Sequence, residues 1–398
     1  MPLLPMRSAF DLPAGIVYLD GNSLGPLPHV ARERIAQTVT DEWGQMLIGG
    51  WNAAGWMDLP EKVGNQIGRL IGAPPGTVTA ADSTSINVHK VLAAALQLRP
   101  DRRIILSDTG NFPTDLYMAK GLIDQLGRQH QLKLVEPEDV SSAIDETVAA
   151  VMLTEVDYRT GRLHDMSGVT KTAHDAGAVT IWDLAHSAGA LSVDLHATQA
   201  DFAIGCGYKY LNGGPGAPAF LYVHPKHLDH IEPVLSGWLG HASPFDFDTG
   251  YRPADGIGRM RVGTPPILSM ASLDAALGLW DDIDVADVRT QSIKLSSAFI
   301  EEVERRCPAE EISLASPRDA DQRGSQVSFR CENGYPVMQA LIVEGVIGDF
   351  RAPNLIRFGF APLYNTEEEV RSAARTLAEI LRTRRWDKPQ FHARAAVT

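Results

Sequence analysis

The stretch FAIGCGYKYLNGGPG, Phe202 to Gly216, decides how the rest of the chain is read. An apolar run ends at Cys206, a small-residue turn follows, and Lys209 stands there between Tyr208 and Tyr210, ahead of a run of glycine and proline. A lysine is long and strongly hydrated, so a tight, mostly apolar turn is a costly place for its charge. Apolar walls and neighbouring cations lower a lysine's pKa, and the neutral amine that results is a nucleophile. The glycines of GGPG let the backbone turn close to whatever that amine meets. Their spacing does not match a phosphate-binding loop for nucleotides.

Working outward, the chain alternates from about residue 60 to 265. Apolar, β-rich runs (RIILSD, AAVMLTEVD, AVTIWD, ADFAIGC, PAFLYV) are separated by helical stretches such as TSINVHKVLAAALQL and SGVTKTAHDAG, which stops at Gly177. Near-continuous apolar strands between helices predict an α/β fold: a three-layer, mostly parallel sheet covered on both faces. After TPP at 264–266 the character changes. Two helical segments follow, the second with Leu295, Phe299 and Val303 recurring every four residues. Short strands come next (EISLAS, SQVSFRC, NLIRFGFA), then a last helix opened by the capping box Thr366–Glu369. This predicts a smaller α+β domain. The expected division is an N-terminal segment 1–50 contributing to the smaller domain, a large domain 51–265, the C-terminal small domain 266–390 and a loosely held tail at 391–398 within DKPQFHARAAVT.

Composition narrows the classes. The chain has 398 residues, 44% hydrophobic, with 36 basic against 49 acidic residues and a net charge of −13. That balance argues against a general nucleic-acid surface and against a polybasic membrane contact. Three widely spaced cysteines, Cys206, Cys307 and Cys331, form neither a disulfide framework nor a zinc spacing, so no metal is expected and a reducing cytoplasm fits best. The opening MPLLPMRSAF does not read as a signal peptide, and no stretch approaches a membrane span.

In open parallel sheets, ligands bind at the carboxyl ends of the strands. Asp183 ends the run AVTIWD, and Lys209 follows ADFAIG 26 positions later. A crossover of that length brings both to one edge of the sheet. Alone, the two would read as a structural ion pair at a sheet edge. Ser83, Thr84 and Ser85 open a helix, where free N–H groups, hydroxyls and the helix dipole form an anion site, although one such residue would also serve as a plain N-cap. A lysine, an aspartate and a phosphate cup at strand ends suit pyridoxal phosphate. The lysine forms a Schiff base with the aldehyde, the aspartate keeps the ring nitrogen protonated, and the helix start takes the phosphate.

The stretches YLDGNSLGPLP, GNFPTDLY, WDLAHSAGA, GYKYLNGGPGAP, GTPPILSM and RFGFAPLYNT occur in the order of, and closely resemble, the motifs of the kynureninase family, over nearly the whole chain. The resemblance implies the aspartate aminotransferase fold (fold type I) and hydrolysis of L-kynurenine to anthranilate and L-alanine in tryptophan catabolism and NAD biosynthesis. It also implies a homodimer with its active site at the interface. By the same resemblance Lys209 carries the cofactor, Asp183 pairs with its ring nitrogen, His186 lies near its phenolic oxygen, Phe112 stacks on the ring and Asp115 lines the site. Thr84, Ser85 and Tyr208 bind the phosphate, Trp238 and Thr264 complete the cup from either subunit, and Thr154 contacts the cofactor. Arg357 clamps the substrate carboxylate, unless an internal carboxylate takes it. Tyr208 is the candidate acid–base.

Substrate choice turns on Trp51 and on Gly263 with Thr264. Family members that prefer 3-hydroxykynurenine tend to carry histidine and a serine–asparagine pair there. An indole only donates hydrogen bonds and stacks on an unsubstituted ring, so kynurenine is the expected better substrate. Two other readings compete: a cysteine desulfurase, which needs a mobile nucleophilic cysteine such as Cys331, and a non-catalytic amino-acid-binding relative.

Overall fold

The computed structural model describes residues 4–394. In chain order, the N-terminal segment supplies β1 (Val17–Tyr18) and α1 (His29–Gln37), and α2 (Gly50–Ala53) and α3 (Leu59–Leu70) lead into the large sheet. There follow β2 (Val78–Ala80), α4 (Thr84–Gln97), β3 (Ile104–Asp108), α5 (Pro113–Gln125), β4 (Gln131–Val135), β5 (Val148–Thr154), α6 (Met166–Asp175), β6 (Val179–Asp183), β7 (Phe202–Cys206) and β8 (Ala219–Val223). The order across this seven-stranded sheet is β2-β8-β7-β6-β5-β3-β4. Pairings from β4 to β7 are parallel, whereas β8 runs antiparallel to both β7 and β2.

Strands β5 to β8 are buried along their whole length, because helices cover both faces of the sheet and leave neither side for water. One core gathers Val63, Ile67, Trp182 and Phe220 on one face; another gathers Val91, Leu92, Ile181 and Phe202 on the other. The expected helix at 167–177 ends as its composition implies: Gly177 adopts φ +77 just beyond α6. For this sheet the expected list of strands lacked two. β2 is three residues long, and β4 is an edge strand with an exposed, charged pattern that gives no apolar run.

Beyond the sheet come α7 (Ile267–Gly278), α8 (Val285–Arg306), β9 (Ser313–Leu314), β10 (Gln326–Arg330), α9 (Gly334–Val343), β11 (Val346–Ile347), β12 (Asp349–Arg351), β13 (Leu355–Gly359), α10 (Glu367–Thr383) and α11 (Pro389–His392). A four-stranded sheet, β12-β13-β10-β9, packs under α8 and α10 around a core of its own. Leu295, Phe299 and Val303 on α8 face it, and Phe299 meets Phe358 at 4.7 Å and Phe360 at 5.5 Å between ring centroids. Burying each such side chain contributes roughly 1.5–3 kcal/mol. The capping box is formed: Thr366 Oγ1 accepts from the Glu369 amide at 3.2 Å, and Glu369 accepts from the Thr366 amide at 2.9 Å. The N-terminal segment touches both cores, since β1 pairs in parallel with β11 and places Leu19 in the smaller one, while Phe10 packs in the larger.

The tail corrects one expectation. Phe391 is buried, and the Tyr335 hydroxyl donates to the Ala393 carbonyl at 3.0 Å, so the chain is tied down to there. An aromatic that finds a core outweighs the polar composition around it. The rest of the predicted tail, 395–398, lies outside the described residues.

Candidate active site

Parallel pairing sets the site. β6 lies between β5 and β7, with Asp183 opposite Thr154 on one side and Ile204 on the other. The carboxyl ends of the three strands therefore deliver Thr154, Asp183 and, just past β7, Tyr208 and Lys209 to one edge. They open into a cavity of about 420 Å³ whose walls also include Thr84, Ser85, Phe112, Asp115 and His186. Beyond Lys209 the backbone doubles back tightly: a Cβ on Gly213 would come within 2.7 Å of the Gly207 carbonyl, and Gly216 takes φ +77.

Lys209 Nζ lies 2.9 Å from His186 Nε2 and is not ion-paired with Asp183. Burial first, then the Lys209 and Arg357 charges, hold the His186 pKa well below the ordinary value, so its ring is neutral. A lysine ammonium donates to Nε2, which leaves the ring proton on Nδ1, a buried atom without a protein partner. Asp183 accepts from the Ala185 amide at 2.7 Å, and burial pushes its pKa up to about 6 against the opposing pull of Lys209. Asp115 is buried with both carboxylate oxygens unpartnered, and burial, then Asp183, raises its pKa well above the usual range. The Tyr208 phenol is also pushed up, by burial first and by Cys206 and Asp183 next, so it keeps its proton at neutral pH.

At the other end of the cavity α4 begins. Ser83 caps it, accepting from the Ile86 amide at 3.4 Å, and Thr84 and Ser85 stand in the first turn with free backbone N–H groups. The loop before it carries Asp82 at φ +52, paired with Lys90, whose Nζ also donates to the Met260 carbonyl at 2.7 Å. Neither Asp82 nor Lys90 was legible as a site residue. Nor was Asn111, which organises the opposite wall. Its Oδ1 accepts from Thr154 Oγ1 at 2.5 Å and from the Phe112 amide at 2.7 Å, while its Nδ2 donates to Ser107 Oγ at 2.9 Å. Its neighbour in GNFPTD was the only signal. Phe112 meets Tyr158 edge-on at 5.0 Å.

Five expected site residues lie elsewhere in the single chain. Gly263 and Thr264 line a neighbouring cavity of about 230 Å³ that shares Asp82 and Gly216 with the first. Trp238 is 43% exposed and packs edge-on against Phe245, itself exposed beside Phe247. Trp51 meets Trp56 edge-on at 5.5 Å, and the Trp56 indole donates to Glu42 at 2.8 Å. Arg357 is buried and has the internal carboxylate that its burial calls for. Its Nε donates to Asp349 at 2.9 Å, Nη2 donates to Asp349 and to Ser23 Oγ, and Nη1 donates to the Tyr158 carbonyl.

The donor set fits pyridoxal phosphate. A helix start with free amides suits the phosphate, an amine the aldehyde, and a carboxylate with a raised pKa the ring nitrogen. The orphaned His186 Nδ1 and Asp115 oxygens are polar atoms that the protein alone leaves unsatisfied.

Comparison with known proteins agrees. Over 401 residues the chain is 50% identical to a kynureninase of Pseudomonas fluorescens, covering 100% of this chain and 96% of that one. The chain belongs to the kynureninase family. A kynureninase of Burkholderia pseudomallei (strain 1106a) is also 50% identical, across 100% of this chain and 97% of its own. The model for the kynureninase C-terminal domain matches residues 288–377, which run from α8 into α10. Among solved structures, an apo cysteine desulfurase from Thermococcus onnurineus NA1 superposes with a TM-score of 0.81 at 21% identity, covering 96% of this chain and 99% of that one. A C-DES variant with glycine covalently linked to its PLP cofactor gives 0.79 at 21% identity, over 94% and 99%. At that identity the likeness carries the fold and not the reaction, so the kynureninase family shares its scaffold with enzymes of other chemistries.

Proposed function

We propose that the protein is a pyridoxal-phosphate-dependent hydrolase that cleaves the carbon–carbon bond of L-kynurenine, giving anthranilate and L-alanine within tryptophan breakdown. The observation that carries the reading is the full-length identity to kynureninases combined with Lys209, Asp183 and the α4 start on one cavity. When bound, pyridoxal phosphate supplies an electron sink for a carbanion, which no side chain offers.

The residues have distinct tasks. Asp183 would hold the proton of the ring nitrogen, and its buried carboxylate would ionise against that cationic partner. Thr84, Ser85 and the α4 amides hold the phosphate. Lys209 would hold the cofactor through its amine and would move the substrate's α-proton. Tyr208, protonated at neutral pH, would give its proton to the carbonyl oxygen as water adds, take one back from the hydrated carbonyl as the carbon–carbon bond breaks, pass it to the β-carbon and be reprotonated from solvent, a contribution of roughly 10²–10⁴-fold. Phe112 covers the ring face. Arg357 takes the substrate carboxylate, for which the Asp349 carboxylate stands in as partner in the free protein.

Trp238 and Thr264 complete the phosphate cup from the second subunit of a cytoplasmic homodimer; their position away from Thr84 in one chain and the exposure of Trp238 support this reading. Trp51, with Gly263, favours kynurenine over 3-hydroxykynurenine, because neither offers a side-chain acceptor to a ring hydroxyl. A desulfurase reading finds no support. Cys206, Cys307 and Cys331 are all buried, and burial pushes the Cys331 thiol up to about 11, far from a ready nucleophile.

Incubating the holoenzyme with kynurenine and, separately, with 3-hydroxykynurenine tests the function. Anthranilate fluorescence should rise with a higher kcat/KM than its hydroxylated analogue. No product from either substrate would overturn the assignment, and a preference for the hydroxylated one would overturn the role of Trp51.

A further inference from the structure

A separate cavity opens between α4 and α5, about 300 Å³ in volume, and no residue lines both it and the cofactor cavity. That is the lower end of the range for small-molecule sites, roughly 300–1,000 Å³. Its walls are apolar: Ala93 and Leu96 on α4, Leu122 and Leu126 from α5 and its C-terminal end, and Val234 and Leu235 from the loop after β8. Gln97 Oε1 accepts from the Glu232 amide at 3.2 Å and fixes that loop across the opening.

The one formally charged side chain on the lining, Arg103, is positive. His89, Arg103 and His130 line it, and no acidic side chain does among the described residues, in a chain whose net charge is −13. Arg103 engages the protein through Nη1, to the Pro100 carbonyl at 2.8 Å. His130 Nδ1 is buried without a hydrogen-bond partner. Partial burial and then the Arg103 charge lower the His130 pKa, so that ring is neutral and Arg103 is the cation of the cavity.

We infer that this cavity binds a small carboxylate with an apolar body, its body between α4 and α5 and its carboxylate against Arg103. An anion there pairs the guanidinium, while the leucines take the apolar part. The same two helices begin at the cofactor cavity: α4 at Thr84 and Ser85, and α5 just after Phe112, with Asp115 in its first turn. An occupant between their far ends therefore acts on the phosphate cup and the ring wall through two rigid rods. That the natural occupant is an aromatic acid rests on the proposed function, whose product anthranilate belongs to this class.

Benzoate is the probe, titrated calorimetrically into the holoenzyme, with benzylamine as the control of opposite charge. The expected dissociation constant is on the order of 1 mM for a ligand of this size. Arg103→Ala, an exposed position, should weaken this binding at least fivefold, and Ala93→Trp should fill the cavity and abolish it. Any component that survives in both variants belongs to the cofactor cavity. Benzylamine should not bind. Benzoate binding unchanged in Arg103→Ala, or equal binding of benzylamine, overturns the proposal. A second arm reads kynurenine turnover: benzoate should lower kcat in the parent and not in Arg103→Ala. Lack of all turnover would indict the proposed function and leave the binding result standing.

Discussion

Two buried aspartates at opposite ends of the same pair of strands have opposite surroundings. Asp183 closes β6 at its carboxyl end, while Asp201 immediately precedes β7, about 10 Å away along the strand direction. Asp201 is saturated. It accepts from His174 Nε2 and His227 Nε2 at 2.7 Å each, from Lys226 Nζ at 2.8 Å and from the Thr180 amide at 2.9 Å. Burial would raise its pKa, but these hydrogen bonds and charges outweigh burial and hold it well below the usual carboxylate range. Asp183 has one backbone donor, and burial wins. Its neighbours share the condition: Asp115 has no partner, and Glu155, whose amide donates to the Asp183 carbonyl at 3.0 Å, is buried with Oε2 unpartnered and is pushed up to about 7. One end of the sheet uses its carboxylate to hold the fold together. The other keeps carboxylates under-satisfied, which is how a site ready for a cationic ligand looks before the ligand arrives.

The contrast breaks most visibly through the amine that faces these carboxylates. Lys209→Ala should cut kynurenine turnover by about 10⁴-fold or more, since covalent attachment and proton transfer are lost together, with the circular dichroism spectrum unchanged. Next, Asp183→Asn should lower kcat by roughly 10²–10³-fold, because a neutral amide no longer stabilises charge at the ring nitrogen. The matching change at the other end should do the reverse. Asp201→Asn should leave kcat within a factor of a few yet destabilise the fold by about 2–3 kcal/mol, because the buried carboxylate that gathers these donors is lost. A stability loss for Asp183→Asn larger than that for Asp201→Asn would defeat the comparison.

The smallest effect sharpens it through pH. The folded-state pKa of Glu155 lies above its unfolded value, so the native state binds the proton more tightly and stability falls as pH rises from about 4.5 to about 7. Above that window the loss totals about 3 kcal/mol. Glu155→Gln should therefore be more stable than the parent above pH 7 and nearly equal to it below about pH 4.5, read by thermal denaturation across pH. For Asp201, with its depressed pKa, the sign is opposite: its contribution is present above about pH 4 and lost as pH falls further. An Asp201→Asn variant whose deficit grew with rising pH beyond neutrality would contradict the hydrogen-bonded carboxylate.

Much of the site was legible because it rests on local signals. Thr84 and Ser85 open a helix whose cap is written in four residues, and Asp183 and Lys209 end apolar runs, so the ends of neighbouring parallel strands had to bring them together. Residues whose role depends on distant partners were not legible. Asn111 matters through Thr154, which is 43 positions away, and the Lys90 ammonium through Asp82 and the Met260 carbonyl. Arg357 could be read as needing a carboxylate, but its identity as Asp349 depends on the pairing of β12 with β13. β4 went unseen because an exposed edge strand lacks the apolar run by which buried strands are recognised.

By itself the sequence determined the layered α/β architecture, the strand ends that meet at one cavity and the family, since these follow from periodicity, capping and motifs a few residues long. Only the tertiary structure decided which carboxylates are satisfied and which are left wanting, that Arg357 is held by Asp349, and that a basic cleft lies between α4 and α5. Those outcomes depend on which groups meet across the fold and on how much water is shut out there, and neither is written in any single stretch of the chain.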